Sequence, residues 1–215
     1  MKIKGAIFDL DGTLLDSMGF WDNVGENFLA AQGKEPREDF REKYYVLSPR
    51  ETAEMLIDEY GVPGTPDEII DSMNNAAEIF YTNHVQPKPH AIELLEKLRA
   101  AGIKMALATA TDRHLVEIAV NRLDIKKYFE GIVTCGEVGQ SKTRPDVYLK
   151  ALSYIGSEIK DTALFEDAVV AAHTAKDAGF YTVGIYDDTC KENEEEMRSF
   201  CDEYLTDFTQ LSELE

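Results

Sequence analysis

From Pro89 to Thr206 the chain alternates between helix-like and strand-like segments, and most switches fall at a glycine. Apolar residues at helical spacing over 90–101 stop at Gly102 and give way to the apolar run Ile103–Ala108. Segment 113–123 precedes Gly131–Cys135, segment 145–155 closes near Gly156 before Thr162–Phe165, and segment 168–178 stops at Gly179 before Tyr181–Ile185. Strands that are apolar without in-and-out alternation are buried on both faces, and strands joined through helices run parallel. The pattern predicts an α/β fold with a doubly wound, mostly parallel sheet and an added edge strand at Tyr204–Thr206.

Such a sheet needs a first strand, and Ile3–Phe8 supplies it, yet the next strand begins only after Gly102. Between them, residues 20–32, 51–60 and 67–81 carry apolar side chains at helical spacing, punctuated by Pro36, Pro49, Gly61, Pro63, Gly64 and Pro66. No strand is expected from about residue 16 to 84. The chain therefore reads as a core of residues 1–15 and 87–215 with an all-helical cap, residues 16–86, inserted after the first strand. Val85–His90 holds two prolines and is expected to be an irregular return linker. The acidic run Glu192–Glu196 reads as a solvated helix face.

Charge narrows the partners. Lys and Arg number 22 against 41 Asp and Glu, a formal charge of −19. A field of that sign repels polyanions, so DNA, RNA and an anionic membrane surface are not expected partners. It also repels a phosphorylated metabolite at long range, so a phosphate site here needs its own local positive charge. The three cysteines, Cys135, Cys190 and Cys201, are odd in number and lack paired short spacing, which suits thiols in a reducing cytoplasm. The apolar run at the N-terminus is too short for a signal peptide, and no segment approaches the ~20 apolar residues of a membrane span. No motif sets the oligomeric state, and a monomer is compatible with the sequence.

In a doubly wound sheet, ligands bind beyond the carboxyl ends of the strands. At that rim the sequence delivers Asp9 and Asp11 after the first strand, then Thr109 and Thr111 after the second. Lys142 follows the third, and Glu166 and Asp167 follow the fourth. Asp9 and Asp11 lie two apart, so both can be aimed at one point through the turn that Gly12 permits. Carboxylates that close repel, which favours a bound dication or a shared proton. One acid attacking phosphorus while the other moves a proton is the chemistry this pairing suits. Asp167 can complete the oxygen ligands of Mg²⁺. Thr109 and Ala110, with the N–H groups at the start of the following helix, can hold phosphoryl oxygens, and Lys142 adds a fixed cation.

The stretch Phe8-Asp9-Leu10-Asp11-Gly12-Thr13-Leu14-Leu15-Asp16-Ser17 resembles the first signature of the haloacid dehalogenase-like hydrolase superfamily, in its phosphatase and phosphomutase branch. Leu107-Ala108-Thr109-Ala110 resembles the second signature, Ser141-Lys142-Thr143-Arg144-Pro145-Asp146 the third, and Leu164-Phe165-Glu166-Asp167 the fourth. The resemblance spans essentially the whole chain. It implies that Asp9 is the nucleophile, Asp11 the general acid and base, and Thr109 and Lys142 the phosphate-binding residues. It also implies Mg²⁺ held by the Asp9 side chain, the Asp11 backbone carbonyl and Asp167, with Glu166 in or beside the metal's outer shell. Two departures stand out. Thr143 replaces a proline after the motif lysine, and Ala168 and Ala171 replace the Ser and Gly common after the last acidic pair.

Residues 16–86 are similar to the helical cap of beta-phosphoglucomutase and phosphoglycolate phosphatase relatives. The expected activity is Mg²⁺-dependent hydrolysis of a small phosphorylated metabolite, a sugar phosphate fitting best. Phosphomutases of that branch carry a His five residues after the position of Asp16. Trp21 stands there, and an indole exchanges no proton near neutral pH. That favours hydrolysis over the alternative of a beta-phosphoglucomutase-type mutase. A non-catalytic or regulatory binding protein of the same fold is the other alternative, and it would be expected to have lost Asp9, Asp11 or Lys142. Arg50 sits where relatives place a substrate-facing arginine, while Trp21 is either cap core or a wall of the substrate pocket. Lys43 and His114 are weaker candidates for substrate contact.

Overall fold

The computed structural model describes residues 3–40, 44, 47 and 49–211. Lys43 lies outside these described residues. The chain divides into two compact units, residues 1–18 with 85–215, and residues 19–84.

The first unit is built on a sheet of six strands, β1 (Gly5–Phe8), β4 (Lys104–Thr109), β5 (Phe129–Thr134), β6 (Thr162–Glu166), β7 (Tyr181–Ile185) and β8 (Glu203–Leu205). They lie side by side in the order β5-β4-β1-β6-β7-β8, and each neighbouring pair is parallel. The connecting helices are α4 (Ala91–Ala100), α5 (Arg113–Arg122), α6 (Cys135–Val138), α7 (Asp146–Ile155), α8 (Val169–Asp177) and α9 (Glu194–Phe200). β1 is central: Ile7 aligns with Ala106 on one side and Leu164 on the other. The chain moves outward from β1 through β4 to β5, then crosses back to β6, so the strand order reverses beside β1. In sheets of this kind the loops on either side of such a reversal part and leave a crevice for ligands.

The strands form because their side chains are apolar on both faces. Ile7, Ala106, Ala108, Val133 and Leu164 join Val147, Tyr148, Ala151 and Ile155 of α7 in one core cluster. The alanines of β4 leave room for the large side chains of α7. Phe8 stacks on Phe165 with ring centroids 4.3 Å apart, locking β1 to β6 directly behind the rim.

Two short segments depart from the expected irregular linker. β2 (Leu15–Asp16) and β3 (Gln86–Pro87) pair antiparallel, Leu15 with Pro87 and Asp16 with Gln86. The proline offers no N–H, and a ribbon of this length does without it. Lys88 N–H carries the bonding on to the Leu14 carbonyl at 2.8 Å. The acidic run lies at the surface as expected, with Glu192, Glu195 and Glu196 exposed. Glu194 pairs with Arg198 at 2.7 Å, and Glu196 lies 3.3 Å from His173.

The second unit is helical, with α1 (Met18–Ala31) entering it, α2 (Pro49–Tyr60) and α3 (Pro66–Asn83). Thr65 and Glu68 form a reciprocal capping box at the start of α3, with Pro66 placed where a missing N–H costs nothing. Leu29, Phe40, Ala53, Leu56, Val62 and Ile69 make its core.

Candidate active site

Asp9 follows β1 directly, and its N–H bonds the Phe165 carbonyl at 3.0 Å, so the first residue of the rim is held by the neighbouring strand. Glu166 is the last residue of β6 and Asp167 the next. One carboxylate oxygen from each of Asp9, Glu166 and Asp167 lies within 4.8 Å of the other two, and all three residues are buried. Lys142, in the loop before α7, donates to Asp9 Oδ1 and to Glu166 Oε2, the latter at 2.8 Å. Tyr148 of α7 donates to the same Glu166 oxygen at 3.2 Å, and the Ala168 N–H meets Glu166 Oε1 at 3.3 Å. Thr13 donates to Asp167 Oδ1 at 2.8 Å.

Three acids and one lysine leave this buried group short of positive charge. Burial pushes the Asp9 carboxyl well above its ordinary range, and the Glu166 and Asp167 charges add to that against the pull of Lys142. Asp167 is pushed up to about 7 by burial and then by Glu166, with the Thr13 hydrogen bond opposing. Burial works against the Lys142 charge, yet the carboxylates of Asp9 and Glu166 outweigh it and hold that lysine above its usual range. Oxygen ligands alone, buried and carrying excess negative charge, fit a hard divalent cation. That donor set is the structural ground for a metal here.

Asp11 is turned to other partners. Its Oδ1 accepts from Ser17 Oγ and its Oδ2 from Thr111 Oγ1, each at 2.6 Å. Gly12, next in the chain, adopts φ +80, and a methyl group on its Cα would lie 2.2 Å from Asp167 Oδ2. The left-handed turn and the close approach both require glycine there.

Thr109 is the last residue of β4 and is buried, with its Oγ1 accepting the Thr111 N–H at 3.1 Å. Ala110 is exposed in the loop that leads to α5. The start of α5 is pinned by Arg113, which donates to the Ile132 carbonyl at the edge strand and to both oxygens of Glu137. His114 is exposed on the first turn of α5.

The structure thus brings Asp9, Glu166, Asp167 and Lys142 together, with Lys142 hydrogen-bonded to Asp9 and Glu166 and a carboxylate oxygen of Asp167 within 4.8 Å of one from each of those acids. Arg50 and Trp21 belong to the helical unit. Arg50 is exposed, 3.1 Å from Asp67 and 3.4 Å from Glu54. Trp21 is half-buried, and its Nε1 donates to Tyr81 Oη at 3.0 Å. Its indole lines a cavity of about 290 Å³ within that unit, shared with Val24, Thr52, Ile70 and Asn74. Sequence reasoning assigned no role to Thr13, Ser17 or Tyr148. The first two lie inside the Asp-Leu-Asp-Gly-Thr motif region and were findable there. Tyr148 reads as an ordinary apolar position of its helix.

The comparisons agree with this architecture. The family model of haloacid dehalogenase-like hydrolases matches residues 6–185. The phosphorylated carbohydrates phosphatase of Thermotoga maritima is 25% identical, covering 82% of this chain and 82% of its own length. Protein CbbY of Rhodobacter capsulatus is 30% identical over 85% of each chain. In fold, the chain is similar to CbbY of Rhodobacter sphaeroides in complex with phosphate, with a TM-score of 0.77 at 22% identity, covering 98% of this chain and 96% of that one. A parallel sheet whose central strand ends in Asp9, faced by Lys142 and the Glu166–Asp167 pair, is thus matched in sequence along most of its length: the chain belongs to the haloacid dehalogenase-like hydrolases.

Proposed function

We propose that this protein is a Mg²⁺-dependent phosphatase that frees phosphate from a small phosphorylated metabolite, with a sugar monophosphate as the best fit, through an aspartyl phosphate on Asp9. The observation that carries this reading is the meeting of three buried carboxylates at the ends of β1 and β6 with the largely buried Lys142 from the loop before α7. The name of the Thermotoga maritima relative, a phosphorylated carbohydrates phosphatase, supports the substrate class.

Asp9, Asp167 and the Asp11 backbone carbonyl are the proposed holders of Mg²⁺, with Glu166 beside them. When bound, the ion supplies the positive charge that lets a carboxylate approach a phosphate dianion. Asp9 attacks phosphorus in line with the leaving oxygen, and Asp11 gives that oxygen its proton. The Thr109 hydroxyl and the N–H groups around Ala110 hold phosphoryl oxygens, while Lys142 offsets charge as the bond to Asp9 forms. Water then attacks the phosphorus, Asp11 takes a proton from it, and inorganic phosphate leaves with Asp9 restored. Residues 16–86 serve in this reading as a cap that excludes bulk water, with Arg50 and Trp21 contacting the leaving group. The compartment proposed is the cytoplasm.

The test is phosphate release from a panel of phosphorylated metabolites with Mg²⁺, run for the native protein and Asp9→Asn, with beta-glucose 1-phosphate followed for isomerisation as well. Release that depends on Mg²⁺ and is lost in Asp9→Asn is the expected result. Isomerisation without matching phosphate release would make the enzyme a mutase, and no turnover of either kind would overturn the catalytic reading.

A further inference from the structure

Each carboxylate oxygen of Asp11 accepts a hydrogen bond from a hydroxyl group. Ser17, buried beyond β2, reaches one carboxylate oxygen, and Thr111, from the loop after β4, reaches the other. The two hydroxyls come from segments far apart in sequence. A carboxylate held at only one oxygen can swing about its Cβ–Cγ bond, whereas one held at both is fixed in plane and direction. The Thr111 side of this grip is itself braced. Its N–H bonds Thr109 Oγ1 at 3.1 Å, and Arg113, two residues on, is fastened to the Ile132 carbonyl and to Glu137.

We infer that Thr111 is a positioning residue for the reaction: it sets the direction in which Asp11 presents its carboxyl group to the leaving oxygen. The inference rests on the reading of Asp11 as the proton donor given above. It assigns Thr111 no contact with phosphate and no part in binding the metal. Its hydroxyl is the group that acts, so Thr111→Ser keeps the function and the isosteric Thr111→Val removes it.

The test compares two substrates whose leaving groups differ in their need for a proton: p-nitrophenyl phosphate, whose phenolate departs unaided, and the best alkyl phosphate of the panel. The quantity read is kcat/KM, which stops at departure of the leaving group and so excludes the later attack of water. Thr111→Val is expected to lower kcat/KM for the alkyl phosphate about 10- to 100-fold, a part of what a well-placed general acid supplies. For p-nitrophenyl phosphate the change stays within about 3-fold, and Thr111→Ser stays near the native values with both substrates. Equal losses with both substrates, or no loss with either, would overturn the inference. Asp11→Asn separates it from the reading beneath. If that variant loses no more on the alkyl phosphate than on p-nitrophenyl phosphate, it is the proton-donor role of Asp11 that fails. A second readout needs no turnover. In crystals of the native protein and Thr111→Val grown alike, the Asp11 carboxylate is expected to keep one rotamer in the first and lose it in the second, and an unchanged rotamer would count against Thr111.

Discussion

Gly12 and Asp167 stand so close that a single methyl group on the glycine would come within 2.2 Å of the Asp167 carboxylate. The turn after β1 and the end of β6 are therefore built as one piece. Gly12→Ala must move either the turn or the carboxylate, and φ +80 penalises the alanine besides. The variant is expected to lose at least about 1–2 kcal/mol of stability and most of its Mg²⁺ affinity, measured by urea unfolding and by metal titration. Native-like metal binding in Gly12→Ala would show that Asp167 has no part in holding the ion.

If Asp167 holds the ion as proposed, metal binding is expected to depend on pH. Its carboxyl is pushed up to about 7 in the folded chain, against 3.8 as its ordinary value. Without metal, the folded state keeps a proton that the unfolded chain releases. This group's contribution to stability is therefore full below the ordinary carboxylate range and is lost as pH rises through about 7. Asp9 is shifted in the same direction. A cation competes with that proton, so the rise in melting temperature on adding Mg²⁺ is expected to be larger at about pH 8 than at about pH 5. Asp167→Asn should flatten the difference, and an equal rise at both pH values in the native protein would contradict the account.

Tyr148 tests the second layer of the site. Its hydroxyl, buried under α7, donates to Glu166 Oε2, the oxygen that also takes Lys142. Tyr148→Phe keeps the ring and removes this bond to a charged acceptor, together with a longer one of 3.4 Å to the Ala171 carbonyl. A loss of about 1–2 kcal/mol in urea unfolding is expected. Unchanged stability would show that Glu166 is fully satisfied by Lys142 and the Ala168 N–H.

The return segment from the helical unit is fastened to the core by a buried ion pair. Lys88 Nζ lies 2.8 Å from Asp187 Oδ2 and donates to the Tyr186 carbonyl at 2.7 Å, just past β7. Burial raises the Asp187 carboxyl, but hydrogen bonds from Lys88 and Thr189 outweigh it and hold the group below its ordinary range. Its stabilising effect is therefore present above that range and lost as pH falls through the lowered value. Lys88→Met strands the Asp187 charge and is expected to cost about 3 kcal/mol near neutral pH. Adding Asp187→Leu should recover part of that loss, and a double variant as unstable as the single one would contradict the pairing.

Much of this was legible before any coordinates. The alternation from Pro89 onward reads as a parallel sheet because each strand is apolar on both faces and most helices end at a glycine that stops them. The order of Asp9, Thr109, Lys142 and Asp167 along the chain follows from that alternation, since Asp9, Thr109 and Asp167 fall at or just past strand ends and Lys142 lies in the loop before the helix that leads to the next strand. Two kinds of feature were not legible. Leu15–Asp16 and Gln86–Pro87 pair through backbone groups across about 70 residues, and two-residue strands have too few side chains to show a period. Tyr148, Lys88 and Asp187 act through contacts between distant segments, and nothing local to any of them marks the partner. Asp11 is the instructive case. The sequence places it beside Asp9, whereas only the fold brings Ser17 and Thr111 to its two oxygens.

The central claim is that Asp9 carries the phosphoryl group, and it is met most directly by quenching the enzyme in acid during turnover of its best substrate and mapping the modified peptide by mass. The account predicts one phosphoryl group on the peptide bearing Asp9, absent in Asp9→Asn and absent without Mg²⁺. Turnover with no phosphorylated peptide under rapid quench, or a phosphoryl group on any other residue, would contradict it.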